Sequence, residues 1–277
     1  MNKRLRSFVL WISVPLCVVL AVTGLGAFWP GIYWREKPAS VVGGVVSDIL
    51  DLCLILPTLV VTTVLARRGS LCALLVWIGT LGYLCYNFPI YVFEVHFNAM
   101  FPAYCAVMGL SFYGLMGVRE FLVSGEVAKT YSPGAPRRSI AAAFILLALS
   151  AAVGELKEIV VAIHAGQIPA NAAAAGQFTD PIHVLDLCFL LPALVIAAVM
   201  LLRRKEMGFT LAPVLSVVLI LISIEVIAMV VVPVEKGFAG DLTPAIGFAV
   251  AAALFAVLLG WYLYPKRKAA EQAGMLS

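Results

Sequence analysis

Eight apolar runs, each about twenty residues long, divide this chain and leave it few ways to fold. A helix rising 1.5 Å per residue needs roughly 20 apolar residues to cross a hydrocarbon core ~30 Å thick. A membrane strand needs only about ten, and alternates apolar with polar side chains. The runs here are helix-length and do not alternate, so the chain reads as an all-α membrane protein of eight transmembrane helices. Charged residues make up 12% of the 277, against about 25% in soluble domains, which leaves no room for a soluble domain of ordinary size. The mean hydropathy of +1.04 agrees.

The helices are expected over residues 7–27, from Ser47 to the Arg67-Arg68 pair, and over 71–92 and 100–121. A second set follows over 139–163, from Asp180-Pro181 to Arg203-Arg204-Lys205, and over 209–232 and 244–264. Ser47 reads as a helix N-cap, after a loop over 35–44 broken by Pro38 and Gly43-Gly44. Asp180 reads as an N-cap with Pro181 in the first helical position. Pro89 predicts a kink. Residues 166–178 read either as a loose loop or as a short interfacial helix, and Trp29, Tyr33 and Trp34 as an interfacial aromatic belt. The basic start, Lys3-Arg4-Leu5-Arg6, resembles a signal peptide, but its apolar run is long and lacks an A-x-A site, so a retained first helix is expected.

One segment is written twice. Residues 183–195 read HVLDLCFLLPALV and residues 48–60 read DILDLCLILPTLV, identical at eight of thirteen positions. Asp51 matches Asp186, Cys53 matches Cys188 and Pro57 matches Pro192, and an Arg pair follows each copy. Arg6-Ser7 and Arg138-Ser139, Gly69 and Gly208, and Pro102 and Pro244 extend the match. The chain therefore reads as a four-helix repeat over 1–123, a cytoplasmic linker over 124–138, a second repeat over 139–268 and a cytoplasmic tail over 269–277. An even number of helices per repeat gives both repeats one orientation, related by a pseudo-two-fold axis along the membrane normal. Fifteen of the nineteen Lys and Arg lie at the termini or after the second, fourth and sixth helices. The positive-inside rule then places both termini in the cytoplasm of a plasma (inner) membrane protein. The stretch DPIHVLDLCFLLPALV with its Arg pair resembles uncharacterised multi-pass proteins of bacteria, of actinobacterial type. That resemblance implies a bacterial source and no activity.

The acids are asymmetric. Only Glu120, Glu126, Glu206 and Glu271 fall on the expected cytoplasmic side, and His96, His164 and His183 share the other side with the remaining eleven acids. His183 and Asp186, at i and i+3, share a helix face, as do Asp48 and Asp51 in the other copy. Glu225 is the deepest acid, aligned through Gly69 and Gly208 with Tyr86, which shares a polar face with Tyr83 and Asn87. Glu155 and Glu158 again lie at i and i+3. The candidate binding residues are thus Asp51, His183, Asp186, Glu225, Asp48, Tyr86, Glu155 and Glu158.

Structural readings stand beside each of these. Asp48, Asp180 and His183 suit helix N-termini. Asp51 and Asp186 suit hydrogen bonds to neighbouring helices, and Glu225 suits a bond to a tyrosine. Lys157 suits an ion pair with Glu155 or Glu158. Pro57 and Pro192 suit plain kinks. Gly109, Gly114 and Gly117 suit close helix packing.

A Zn or Cu set is conceivable from His183, Asp186, Asp51 and Glu225, but no HxxxH, HExxH or Met-rich stretch supports it, and no metal or cofactor is assigned. The six cysteines form no CxxC, and neither a phosphate-binding loop nor a G-x-S-x-G elbow is present. The net charge of +4 speaks to orientation, not to nucleic acid. The expected partners are the lipid bilayer and a small solute or cation, with self-association left open. The function expected is binding or transport of that solute or cation through an outward-facing acidic site between the repeats, with Glu225 as a proton relay. The alternatives are a metal-dependent intramembrane enzyme acting on a lipid or periplasmic substrate, and a non-catalytic scaffold or sensor subunit.

Overall fold

Proline sets four of the helix starts. Pro38, Pro102, Pro181 and Pro244 each sit in a first turn, where the missing N–H costs no intrahelical bond. The computed structural model describes residues 3–131 and 135–264. Its long helices are α1 (Lys3–Gly24), α2 (Pro38–Arg67), α3 (Leu71–Phe93) and α4 (Phe101–Gly117), then α5 (Arg137–Ala165), α6 (Pro181–Leu202), α7 (Glu206–Glu235) and α8 (Thr243–Leu263). No strand occurs among the described residues. Seven spans are long and apolar enough to cross a bilayer alone, and α4 makes an eighth when joined to the helical segment Arg119–Tyr131, bent from it by 49°. The protein is a multi-pass, all-helical membrane protein. The Lys266-Arg267-Lys268 cluster, the tail over 269–277 and Pro133-Gly134 of the linker lie outside the described residues.

Two expectations from turn chemistry fail in α2. The helix starts at Pro38, not at Ser47, and Gly43-Gly44 lie within it. A glycine inside a helix costs ~1 kcal/mol relative to alanine, but here each leaves room for a neighbour. A Cβ on Gly44 would stand 3.0 Å from the Tyr33 ring, and one on Gly43 would stand 3.3 Å from Met229. Ser47 and Asp48 are therefore mid-helix, buried side chains and not caps. Asp180 does cap α6, accepting from the N–H groups of Ile182 and His183 at 3.0 and 3.2 Å. Residues 170–175 form a short helix.

Both copies of the duplicated segment widen into a π-helical turn at the same place, Asp51–Ile55 in α2 and Asp186–Leu190 in α6. Each turn stands two residues before a proline, whose ring and missing N–H disrupt an ordinary helical turn. The N–H of Leu56 reaches back to the Asp51 carbonyl, and that of Leu191 to the Asp186 carbonyl. Both helices then end alike. Gly69 and Ser70 donate to Ala66 and Leu65, and Arg204 and Lys205 donate to Leu201 and Met200. The second residue after the helix is left-handed in both, Gly69 at φ 99° and Arg204 at φ 55°. In the register of the duplicated segment Gly69 falls at Arg204, whereas the expected match is Gly208. Gly208 serves close packing, since a Cβ there would lie 2.5 Å from the Leu201 nitrogen. Carried forward in this register Glu225 aligns with Ile90, and through the two glycines it aligns with Tyr86.

Helices α3 and α7 form the centre. α3 packs on α2, α4 and α7, and α7 packs on α2, α3, α6 and α8. They run parallel, because Gly79 of α3 faces Val217 of α7, while Tyr83 and Asn87, further along α3, reach Glu225, further along α7. α1 packs on α2 and α4, and the buried Ser13 hydroxyl of α1 receives the Trp77 indole N–H of α3 at 2.8 Å. α5 rests on α6 and α8 rests on α7. α5 and α8 meet at Phe144 and Phe255, with ring centroids 5.6 Å apart. In α4, Gly114 and Gly117 admit Leu81 and Phe8 at close range, while Gly109 faces open space. Close packing thus accounts for two of those three glycines.

Candidate functional site

Three carboxylates of α2 and α7 are sunk into the bundle. Glu225 is 7% exposed, Asp48 1% and Asp51 0%. Glu225 collects donors from two helices: Tyr83 OH at 2.8 Å and Asn87 Nδ2 at 3.0 Å from α3, and the Ser47 hydroxyl from α2. Asp48 accepts from Tyr33 OH at 2.8 Å and from Tyr91 OH at 3.3 Å. Asp51 differs. Neither of its oxygens has a hydrogen-bond partner among the described residues. It sits in the π-helical turn, near enough to Asp48 and Glu225 to feel both charges. No Lys or Arg side chain hydrogen-bonds or pairs with any of the three among the described residues. A buried carboxylate without a positive partner is costly, and inside a membrane it faces protein or water and marks function by default.

A second group lies on α5 and α6. Asp186 accepts from Tyr86 OH at 2.8 Å, and the Glu155 carboxyl is close enough to share a hydrogen bond with it. One Glu155 oxygen is buried and unpartnered. His183 does not turn towards Asp186. Its Nε2 lies 3.7 Å from Glu158, and its Nδ1 lies 3.3 Å from Asp180 without the alignment for a hydrogen bond. Lys157 pairs with neither glutamate among the described residues. Of the expected constellation, Asp51, Asp48 and Glu225 come together, Asp186 joins Glu155 and Tyr86, and His183 joins Glu158. The conceivable metal set of His183, Asp186, Asp51 and Glu225 is thus divided. No group of three or more His, Cys, Asp or Glu able to hold a metal ion occurs among the described residues.

The two groups border one cavity of about 580 Å³. Glu225, Asn87 and Ser47 line it from one side, and Asp186 and Tyr86 from another. Its mouth carries Glu36, Ser40, Glu94 and Gln177, contributed by the loops and helix ends at the pole away from the Arg pairs. Those loops are tied together: His96 Nδ1 lies 2.9 Å from Glu36, and Lys37 Nζ donates to the Ala173 carbonyl at 3.1 Å.

Glu94, just past the end of α3, is pushed above the ordinary value of 4.5 by burial, opposed by a hydrogen bond with Gln177 and reinforced by Asp180 and Glu36. A carboxyl raised on folding contributes stability that is complete below the ordinary value and fades as pH rises through its folded value. The melting temperature should therefore fall between those limits, and Glu94→Gln should remove that part of the fall. Melting curves from about pH 4 to 8 check this. Equal slopes in both proteins would mean that Glu94 ionises as it does in water.

Sequence reasoning missed Tyr33, Tyr91, Glu94 and the role of Ser47. A signal for Tyr91 was present, because Tyr83, Asn87 and Tyr91 follow one another at steps of four on one face of α3. Tyr33 gave none, since it lies outside any helix and reaches Asp48 only through the fold.

The fold and the buried acids define a multi-pass membrane protein with a largely apolar cavity bordered by carboxylates. Comparison with protein-family models, with curated proteins and with solved structures returns no match for this chain.

Proposed function

We propose that the protein is a carrier that binds a small monovalent cation, H⁺ or Na⁺, at Asp51 and couples it to a solute held in the adjoining cavity. In this reading two four-helix units surround an axis between α3 and α7, both termini face the cytoplasm of a bacterial inner membrane, and the cavity opens outward. The observation that carries it is Asp51, fully buried with both oxygens unpartnered and with Asp48 and Glu225 as neighbours. Its charge requires a counter-charge, and none of the described residues supplies one by a hydrogen bond or ion pair. The identical π-helical turn in α6 and the shared register of the turns after α2 and α6 support the duplication. The metal-enzyme reading loses its ligand set, because His183 lies apart from Asp51. An open glycine face on α4 would favour the scaffold reading, and the occupied Gly114 and Gly117 weaken it.

The test is thermal stability in lipid nanodiscs, with Na⁺, K⁺ and Li⁺ titrated against an organic cation at constant ionic strength, and with pH varied separately. The wild type should be stabilised by one of these, reaching about 2.7 kcal/mol at a hundredfold excess over Kd. Asp51→Asn should abolish that response and raise the baseline melting temperature. The same response in both proteins would remove the cation from Asp51 and the proposal with it.

A further inference from the structure

The cavity beside the acids has a composition that a bare ion does not need. Among the described residues four carboxylates line it, Glu36, Glu94, Asp186 and Glu225, and no lysine or arginine does. The rest of its wall is mainly hydrocarbon, with Leu219, Ile222, Val226 and Met229 along α7 and Leu191 and Leu194 on α6. From Leu219 to Met229 the helix rises ~15 Å. The volume of about 580 Å³ falls in the range of about 300–1,000 Å³ that holds drug-sized ligands.

The far side of the cavity is unusual. Leu147 and Ala151 of α5 and Gly247, Phe248 and Ala251 of α8 all line it. These residues lie on the mouth side of the Phe144–Phe255 contact, and each helix rests on a different neighbour, α5 on α6 and α8 on α7. Both α5 and α8 turn exposed apolar side chains outward at this level, Leu149 and Val153 on one and Ile246 and Val250 on the other. In a membrane those faces meet lipid on the outer side of the wall that α5 and α8 give the cavity.

We infer that this cavity takes an amphipathic amine, with its ammonium head beside Asp186 and Glu225 and its alkyl tail along α7, entering from the bilayer between α5 and α8. An alkyl tail moves from lipid to the cavity between equally apolar surroundings, so the tail confers access and not selectivity. Selection lies at the head. Four acids without a basic residue favour a cation and repel a carboxylate or phosphate. The inference names the solute of the proposed carrier and rests on that reading for what drives movement, while binding itself is tested separately.

The experiment measures binding of radiolabelled dodecylamine to the full chain in nanodiscs, with empty nanodiscs subtracted, and competes it with dodecanoate, dodecanol and butylamine. Dodecylamine should compete at least about tenfold better than each of the three. Gly247→Trp, at a position where a side chain meets nothing within 4 Å and would fill the cavity, should weaken binding by about tenfold or more. Gly260→Trp, equally open on the same helix but outside the cavity, should bind as the wild type does. No binding above empty nanodiscs, equal competition by dodecanoate, or binding untouched by Gly247→Trp overturns the inference. The cation-dependent melting shift is recorded on the same samples. Loss of amine binding with that shift intact refutes the amine alone, and amine binding without the shift refutes the cation site alone.

Discussion

Replacing Glu225 by alanine should cost the protein more stability than any other single change at the acidic cluster. The truncation takes one acceptor group from Tyr83, Asn87 and Ser47 together, and these belong to two helices that pack on α7. Interhelical hydrogen bonds in membranes are worth ~0.6 kcal/mol on average and up to ~1.7, so three lost at once amount to about 2–5 kcal/mol. The Tyr83 hydroxyl left behind is fully buried and lies outside the cavity lining, so it loses its acceptor without replacement. Glu225→Gln keeps one carbonyl acceptor and should lose about half as much, because its amide nitrogen faces donors where a carboxylate oxygen stood. Unfolding in mixed micelles, followed by tryptophan fluorescence, checks the order wild type, Gln, Ala. Equal stability of all three would mean that the cluster adds nothing to the packing of α2, α3 and α7.

Gly79→Leu should be comparably severe for a different reason. A Cβ at this position would lie 2.5 Å from the Val217 Cβ and 3.0 Å from the Val214 carbonyl oxygen. Both are fixed parts of α7, so relief requires the central helices to separate. Overpacking of a rigid contact costs about 1–3 kcal/mol and occasionally more, and here the separation would also pull Tyr83 and Asn87, one and two turns along α3, from Glu225. The expected result is a melting temperature well below the wild type and loss of any cation-dependent shift. Gly109→Leu, on α4 with open space around it, should melt near the wild type. If the two variants melted together, α3 and α7 would not be in the contact described.

The helices were legible in the sequence because a bilayer imposes length and hydrophobicity on each of them separately. The cluster was legible only in part. Asp48, Asp51 and Glu225 stand out as charges in apolar runs, and a charge placed there has few reasons to exist. Ser47 was misread because a serine before an aspartate looks the same as a cap or as a buried donor, and only the contact with α7 separates the two. His183 was grouped with Asp186 by spacing, yet at i and i+3 a shared face does not fix where the rings and carboxylates turn. The alignment of Glu225 with Tyr86 followed a pair of glycines, whereas the backbone shows that one marks a left-handed turn and the other a close approach between helices.

The π-helical turns have a geometric consequence for α2. An α-helix advances about 100° per residue, and each π-helical turn holds one residue more than the turn it replaces. The half of α2 bearing Ser47 and Asp48 is thereby out of phase with the half bearing Leu59 and Thr63, which packs inward on its own account. Removing one residue from Asp51–Ile55 would restore a regular helix and swing the first half by that angle. Ser47 and Asp48 would then sweep off Glu225, Tyr33 and Tyr91 while every side chain of the second half kept its seat. The extra residue acts as an angular offset that lets one continuous helix satisfy a hydrocarbon core at one end and a cluster of buried carboxylates at the other.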